Sequence, residues 1–169
     1  MRTRRWAGAS IAALSLALGL TGTALATPPL MLDRNAPLGF SFVDTEICPG
    51  IDVVTTFEGK RNATLYVDAD GNELRLVINV QYWGTFTNAA DPGLTVRSPG
   101  HRHITFDFVA NTFTDVGVYR NVTVRGSGTI HVQAGRLVET LDEGILLAVS
   151  GPHQDYSGDF AAFCAALGG

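Results

Sequence analysis

The sequence predicts an all-β protein: an antiparallel meander of eight or nine strands, with a barrel preferred over a sandwich, followed by a short C-terminal helix. Three observations predict it. Apolar and polar residues alternate along most of the chain after residue 50, which is the period of a half-buried strand. Glycine-containing turn signals separate these runs, so short hairpins join consecutive strands. Consecutive hairpins build one closed sheet, and eight strands enclose a space that is packed or holds a small ligand.

Residues 1–26 have the pattern of a secretory signal peptide. Three arginines form a basic n-region, residues 11–20 form an apolar h-region, and small residues precede a cleavage position between Ala26 and Thr27. A retained membrane anchor fits less well, because the strongly apolar part is about 10 residues long and a spanning helix needs ~20. We therefore expect a secreted, extracellular protein of bacterial origin, with no membrane span after cleavage.

The rest of the chain divides into an arm and one domain. Residues 27–50 contain four prolines and no sustained period, which predicts an extended N-terminal arm. A single β domain is predicted over residues 51–169. Its predicted strands cover residues 51–58, 63–67, 73–87, 94–97, 101–108, 115–125, 129–133, 136–141 and 145–150.

Turn and helix signals lie between and after these strands. Turns are predicted at Gly59-Lys60, at Asp70-Gly71 and at residues 98–100, where glycine or proline interrupts the alternation. Asp159 is a favourable N-cap, and the apolar residues after it have helical spacing. This predicts a helix over residues 159–167 that packs against the sheet.

The charge balance excludes two classes of partner. Without the predicted signal peptide, the remaining 143 residues carry 9 basic and 16 acidic side chains, a formal charge of −7. Nucleic acids and anionic membrane surfaces both select basic patches. We therefore expect neither as a partner.

Cys48 and Cys164 are the only cysteines of the chain. An even number of cysteines in an exported protein predicts a disulfide between them, which would close almost the whole domain into one loop. The alternatives are a reactive thiol or a metal ligand, but no Cys-x-x-Cys spacing and no Cys/His cluster supports them.

Both ends of the domain resemble small exported actinobacterial proteins. The likeness lies in the Cys48-Pro49 pair and in a C-terminal element with Gly158-Asp159-Phe160 followed by Cys164-Ala165-Ala166-Leu167. The resemblance implies a signal peptide, a β-rich domain and a terminal disulfide. It implies no catalytic residue.

His101 and His103 are the strongest candidates for a metal-binding site. Residues two apart on a strand point to the same face, so the pair could supply two ligands to zinc or copper if a third ligand came from a neighbouring strand. His131 is the candidate for that third ligand. The simpler interpretation is an exposed polar strand face. We expect no other cofactor.

The sequence gives little indication of other catalytic or ligand-binding chemistry. No hydrolase elbow, phosphate-binding loop or calcium loop is present in the sequence, so no catalytic residue is predicted. Carboxylates such as Asp115 and Glu139 could converge in space, although solvation is the simpler role. Aromatic residues are spread over most strands, where they would pack a core or line an apolar ligand pocket.

These observations favour a non-catalytic secreted module that binds a small apolar ligand or a component of the cell envelope. A barrel enzyme, either metal-assisted or of the isomerase or cyclase type, is the first alternative. A purely structural surface protein is the second. An apolar cavity in the structure would favour the binding function. A buried polar cluster in that cavity would favour an enzyme, and a fully packed interior would favour a structural role.

Overall fold

The computed structural model describes residues 27–169, so the predicted signal peptide and Ala26 lie outside the described residues. Seven strands form one antiparallel sheet in chain order, namely β1 Leu30–Cys48, β2 Ile51–Val67, β3 Glu73–Asn88, β4 Thr95–Asp107, β5 Thr112–Val124, β6 Gly128–Thr140 and β7 Leu146–Ser150. Two short helices follow, α1 Gln154–Ser157 and α2 Ala161–Ala166. The predicted all-β antiparallel meander with a C-terminal helix is confirmed. Within residues 27–169, no helix is long and apolar enough to cross a membrane.

Strand pairing does not close the sheet. The ladder runs from β1 to β7, and in the described part of the chain β7 does not pair with β1. Closure of the sheet into a barrel is therefore not confirmed.

The strands are fewer and longer than predicted because three of the expected breaks, at residues 59–60, 98–100 and 134–135, lie inside strands. Residues 59 and 60 continue β2, which pairs with β3 along nearly its whole length. Pro99 lies inside β4, opposite Trp83 of β3. Proline lacks the amide hydrogen that a ladder needs, but β4 pairs with β5 only from His101 onward, so one side of the strand is open at Pro99.

Residues 30–48, predicted as part of an extended arm, are the first strand of the sheet. β1 pairs antiparallel with β2 from Leu30 to Cys48, with register shifts near Asp33 and again between Asp44 and Cys48. These shifts break the alternation of apolar and polar residues, which explains why the sequence shows no sustained period there. Pro37 is compatible with β1 because the strand lies at the edge of the sheet.

Close contacts with β3 explain why glycine occurs at positions 59 and 100 in mid-strand. Gly59 and Gly100 lie opposite Tyr82 on the two neighbouring strands. A Cβ atom at Gly100 would lie 2.2 Å from Cζ of the Tyr82 ring, so only glycine leaves room for that ring. The Tyr82 hydroxyl donates a hydrogen bond to the carbonyl oxygen of Tyr119, at 2.6 Å.

The hydrophobic core lies at one end of the sheet, between the strands and the C-terminal segment. We call the sheet face that carries Phe86 the inner face, because Phe163 of α2 packs edge-on against the Phe86 ring there, with centroids 5.3 Å apart. The fully buried members of the cluster come from five strands and the C-terminal segment: Cys48, Val53, Phe86, Val96, Val122, Phe163 and Leu167. The predicted helical spacing of apolar residues after Asp159 therefore packs as expected, although the N-cap residue of α2 is Phe160.

The predicted disulfide is present and fastens the end of β1 to α2. Cys48 and Cys164 are bonded, with their Cα atoms 5.4 Å apart and 116 positions apart in the sequence. The side-chain amide of Asn88 donates a hydrogen bond to the carbonyl oxygen of Leu167, at 2.9 Å, which is a second attachment of this segment. The C-terminal segment is therefore tied to both β1 and β3.

Removing the disulfide should destabilise the domain strongly. We expect the Cys48→Ala/Cys164→Ala variant to lose about 3–5 kcal/mol of unfolding free energy, because the bond restricts a long loop in the unfolded chain. Urea unfolding followed by circular dichroism measures the change. A reductant should destabilise the wild type and leave the variant unchanged. A loss below about 1 kcal/mol would contradict this role of the bond.

The space that Gly100 leaves for the Tyr82 ring, which we call the Tyr82 slot, predicts that one added methyl group at this position lowers stability. Gly100→Ala should lower the unfolding free energy by about 1–3 kcal/mol, because the new Cβ overlaps the Tyr82 ring. Gly39→Ala is the matched control, since a Cβ at Gly39 would meet nothing within 4 Å. The control should change stability by less than about 0.5 kcal/mol in the same unfolding assay. Equal effects of the two substitutions would show that the slot does not constrain position 100.

Candidate ligand-binding site on the inner face

An apolar cavity lies on the inner face, beyond the part that α2 covers. It has a volume of about 280 Å³. Its walls come from four adjacent strands: Leu38 and Phe40 of β1, Phe57 and Arg61 of β2, Ile78, Val80 and Tyr82 of β3, and Arg102 and Ile104 of β4. Alternation along each strand places these side chains on one face. We call this space the apolar cavity.

A second cavity adjoins the first at Arg102, which lines both. Its volume is about 350 Å³. Beside Arg102 it is lined by residues of β5, β6 and α1: Phe113, Asp115, Tyr119, Gln133, Leu137 and Asp155. Four of its seven lining side chains are charged or carry an amide, namely Arg102, Asp115, Gln133 and Asp155. We therefore call this space the polar cavity.

A partly buried ion pair, Arg102–Asp115, lies at the junction of the two cavities. The Arg102 guanidinium donates from Nε to Oδ2 of Asp115 at 2.9 Å, and Nη2 contacts the same oxygen. The Asp115 side chain is 0% exposed, and its Oδ1 has no hydrogen-bond partner within the described residues. The guanidinium also stacks on the Tyr119 ring, with Cζ 4.8 Å from the ring centroid.

Burial and neighbouring charges have opposite effects on the pKa values of Arg102 and Tyr82. Burial disfavours the charged form of Arg102, but the hydrogen bond and the negative charge of Asp115 outweigh it, so the pKa of Arg102 lies above its ordinary value. Burial raises the pKa of Tyr82, which therefore stays neutral and keeps its hydrogen-bond donor. At neutral pH the junction thus holds a charged Arg102 guanidinium beside the neutral phenol of Tyr82.

A polar network holds α1 against β6 at the rim of the polar cavity. Nε2 of the buried His131 lies 2.6 Å from Oδ1 of Asp155, and Arg120 donates to the same oxygen at 3.1 Å. His131 stacks on Phe160, with ring centroids 5.0 Å apart. The side-chain amide of Gln133 lies 2.9 Å from Nδ1 of His153. The network fixes the position of Asp155 in the cavity wall.

The histidines predicted as metal ligands lie elsewhere. His101 and His103 share one face as predicted, but it is the exposed outer face, opposite to that of Arg102. Nδ1 of His103 lies 2.8 Å from Oδ1 of Asn79. His131, the suggested third ligand, is buried on the inner face, so strand pairing does not bring it to the pair. Among residues 27–169, no group of three or more His, Cys, Asp or Glu side chains could hold a metal ion.

Asp115 was expected to be solvated, and that expectation is wrong. It lies in register with Ile104, whose side chain faces the inner cavity, so Asp115 shares this face and is buried. Arg102 was missed between the two histidines. Its parity with the apolar residues Ile104 and Phe106 on the same strand was the available signal, because a charged residue on an apolar strand face needs a buried partner.

The aromatic residues divide between packing and cavity lining. Phe57 and Tyr82 line the apolar cavity, and Phe113 and Tyr119 line the polar one. Phe86 belongs to the core, whereas Trp83 faces outward and is 61% exposed. Both interpretations of the aromatic pattern therefore apply, each to different residues.

The Arg102–Asp115 pair predicts an asymmetric mutational response. Arg102→Met should lower the unfolding free energy by about 3 kcal/mol, because it leaves the Asp115 carboxylate buried without its cation. The double variant Arg102→Met/Asp115→Leu should be more stable than that single variant, because no charge is then left buried. Chemical denaturation of the three proteins measures the difference. A double variant less stable than the single one would contradict the assigned burial of the carboxylate.

Comparison with known proteins adds no functional assignment. No protein-family model, curated protein or solved structure matches this chain. The resemblance of its two ends to small exported actinobacterial proteins stays a prediction.

Proposed function

We propose that this protein binds a small, largely apolar ligand in the apolar cavity, with the polar end of the ligand at Arg102. The observation that carries the proposal is an open cavity of about 280 Å³ whose walls are mainly aliphatic and aromatic. Small-molecule sites are concave and mostly apolar, with a few polar groups that fix orientation. A purely structural surface protein would have no need to leave this space unfilled.

We infer that the protein acts outside the cytoplasm, as a secreted module of a bacterial cell. The signal-peptide pattern of residues 1–26 motivates this inference, and the Cys48–Cys164 disulfide is consistent with an oxidising compartment. The ligand would then be an extracellular small molecule or an apolar component of the cell envelope.

We also infer that the sheet curls into a barrel-like shape that the C-terminal segment completes. Helix α2 contacts both β1 and β6, which are not neighbours in the ladder. Asp44 and Glu46 of β1 share a surface depression with Arg120 of β5 and Asp155 of α1. A strongly curled sheet brings these elements together, and such curling encloses a ligand space on the inner face.

The buried polar cluster supports a second candidate, an enzyme of the isomerase or cyclase type in the same site. Asp115 is buried beside the cavities and keeps one oxygen without a partner, which suits a group that accepts a proton from a bound substrate. In that case Asp115→Asn would retain the ligand and lose its conversion. Nuclear magnetic resonance of a compound extracted from the native protein, before and after incubation with fresh protein, separates this candidate from simple binding.

Filling the apolar cavity should abolish binding of an apolar probe. Val80→Phe places a phenyl group in the cavity, so we expect it to weaken binding of N-phenyl-1-naphthylamine by about tenfold or more. Titration of the probe's fluorescence against protein measures the affinity.

Val77→Phe is the matched control for this experiment. It introduces the same change on the same strand, three positions away and therefore on the outer face. Its affinity for the probe should stay within about twofold of the wild type. A wild type that does not bind the probe, or equal losses in both variants, would contradict the proposed binding site.

A further inference from the structure

We propose that the ligand carries a hydroxyl group, which binds between Arg102 and Asp115 where the two cavities meet. This inference rests on the proposed function, because it names the chemistry of the ligand in the same site. It concerns the polar end of the ligand, whereas the proposed function concerns its apolar body.

Asp115 supplies an unused acceptor. Its Oδ2 receives both contacts from Arg102, whereas Oδ1 is buried and has no hydrogen-bond partner among residues 27–169. Asp115 belongs to the wall of the polar cavity. A buried acceptor without a partner is destabilising until a donor reaches it, so this position favours a ligand that donates a hydrogen bond.

Arg102, which lines both cavities, has further donors for a ligand. A guanidinium has five N–H groups, and Asp115 engages those of Nε and Nη2. Nη1 carries two further N–H groups. A hydroxyl group donates one hydrogen bond and accepts others, so a single hydroxyl can use an N–H of Arg102 and Oδ1 of Asp115 together.

The charges around this position disfavour ionised ligands. The positive charge of Arg102 is already matched by Asp115, and the Asp155 carboxylate in the wall of the polar cavity is already matched by Arg120. A ligand carboxylate would approach the unpaired oxygen of Asp115 and be repelled. A ligand ammonium would approach the Arg102 guanidinium, which is also unfavourable. A neutral hydroxyl leaves the charge balance of the pair unchanged.

Four ligands with one bicyclic body and different polar groups test this inference. They are 1-naphthol, 1-methoxynaphthalene, 1-naphthoate and 1-naphthylmethylamine, each titrated calorimetrically into the folded protein at neutral pH. We expect 1-naphthol to bind about tenfold or more tightly than the methyl ether, which can accept but not donate a hydrogen bond. The anion and the cation should both bind more weakly than 1-naphthol.

Asp115→Asn should remove this preference. Arg102 requires an oxygen in front of its two donors, so the asparagine turns its amide nitrogen towards the position of Oδ1, where it can no longer accept. The advantage of 1-naphthol over the ether should then fall to about threefold or less. Asp52→Asn is the matched control, because Asp52 is exposed and does not line either cavity. It should leave the affinities for all four ligands unchanged.

The wild-type series decides the outcome even if the Asp115 variant does not fold. If the ether binds as tightly as 1-naphthol, or if the carboxylate or the amine binds most tightly, the hydroxyl inference is overturned while binding of an apolar body stands. If none of the four ligands binds, both the hydroxyl inference and the proposed function are overturned.

Discussion

The attachment of the C-terminal segment to the inner face is the constraint on which the rest of this structure depends. Within residues 27–169 each strand pairs only with its neighbours in the chain, so hairpin pairing alone leaves β1 and β6 without a connection. Helix α2 provides that connection. It is bonded to β1 through Cys48–Cys164 and packs Phe163 against Phe86 and His131. Because α2 has only six residues, it covers one end of the inner face and leaves the other end open.

The open end determines what the protein can do. Its apolar walls are half-buried, and the Arg102–Asp115 pair, whose carboxylate is fully buried, stands between the apolar and polar cavities. A pair of hydrophobic residues of similar size would stabilise the sheet as well or better. We propose that ligand recognition explains the presence of Arg102 and Asp115 on this face, with the unpaired Oδ1 of Asp115 as the hydrogen-bond acceptor for the ligand.

The fold class and the packing of α2 could be predicted from the sequence because both depend on a local periodicity. The disulfide could be predicted because the chain has only two cysteines. Strand number could not, because Gly59 and Pro99 have the composition of turns and only the neighbouring strands explain them. For the site, strand parity alone placed His101 and His103 on one face. Which face was buried depended on residues farther along β4, and the partner of Arg102 depended on the register of β5. The pairing register between two strands cannot be predicted from the sequence of either strand alone.

Hydrogen–deuterium exchange of the oxidised protein and of a Cys48→Ala/Cys164→Ala variant tests the role of the C-terminal attachment most directly. If this attachment holds β1 in place, loss of the disulfide should accelerate exchange in α2 and along β1, including residues 38–40 of the cavity wall. The central ladder between β3 and β4 should keep its protection, because both strands retain their neighbours. Unchanged exchange in β1, or a uniform loss of protection over all seven strands, would contradict the account.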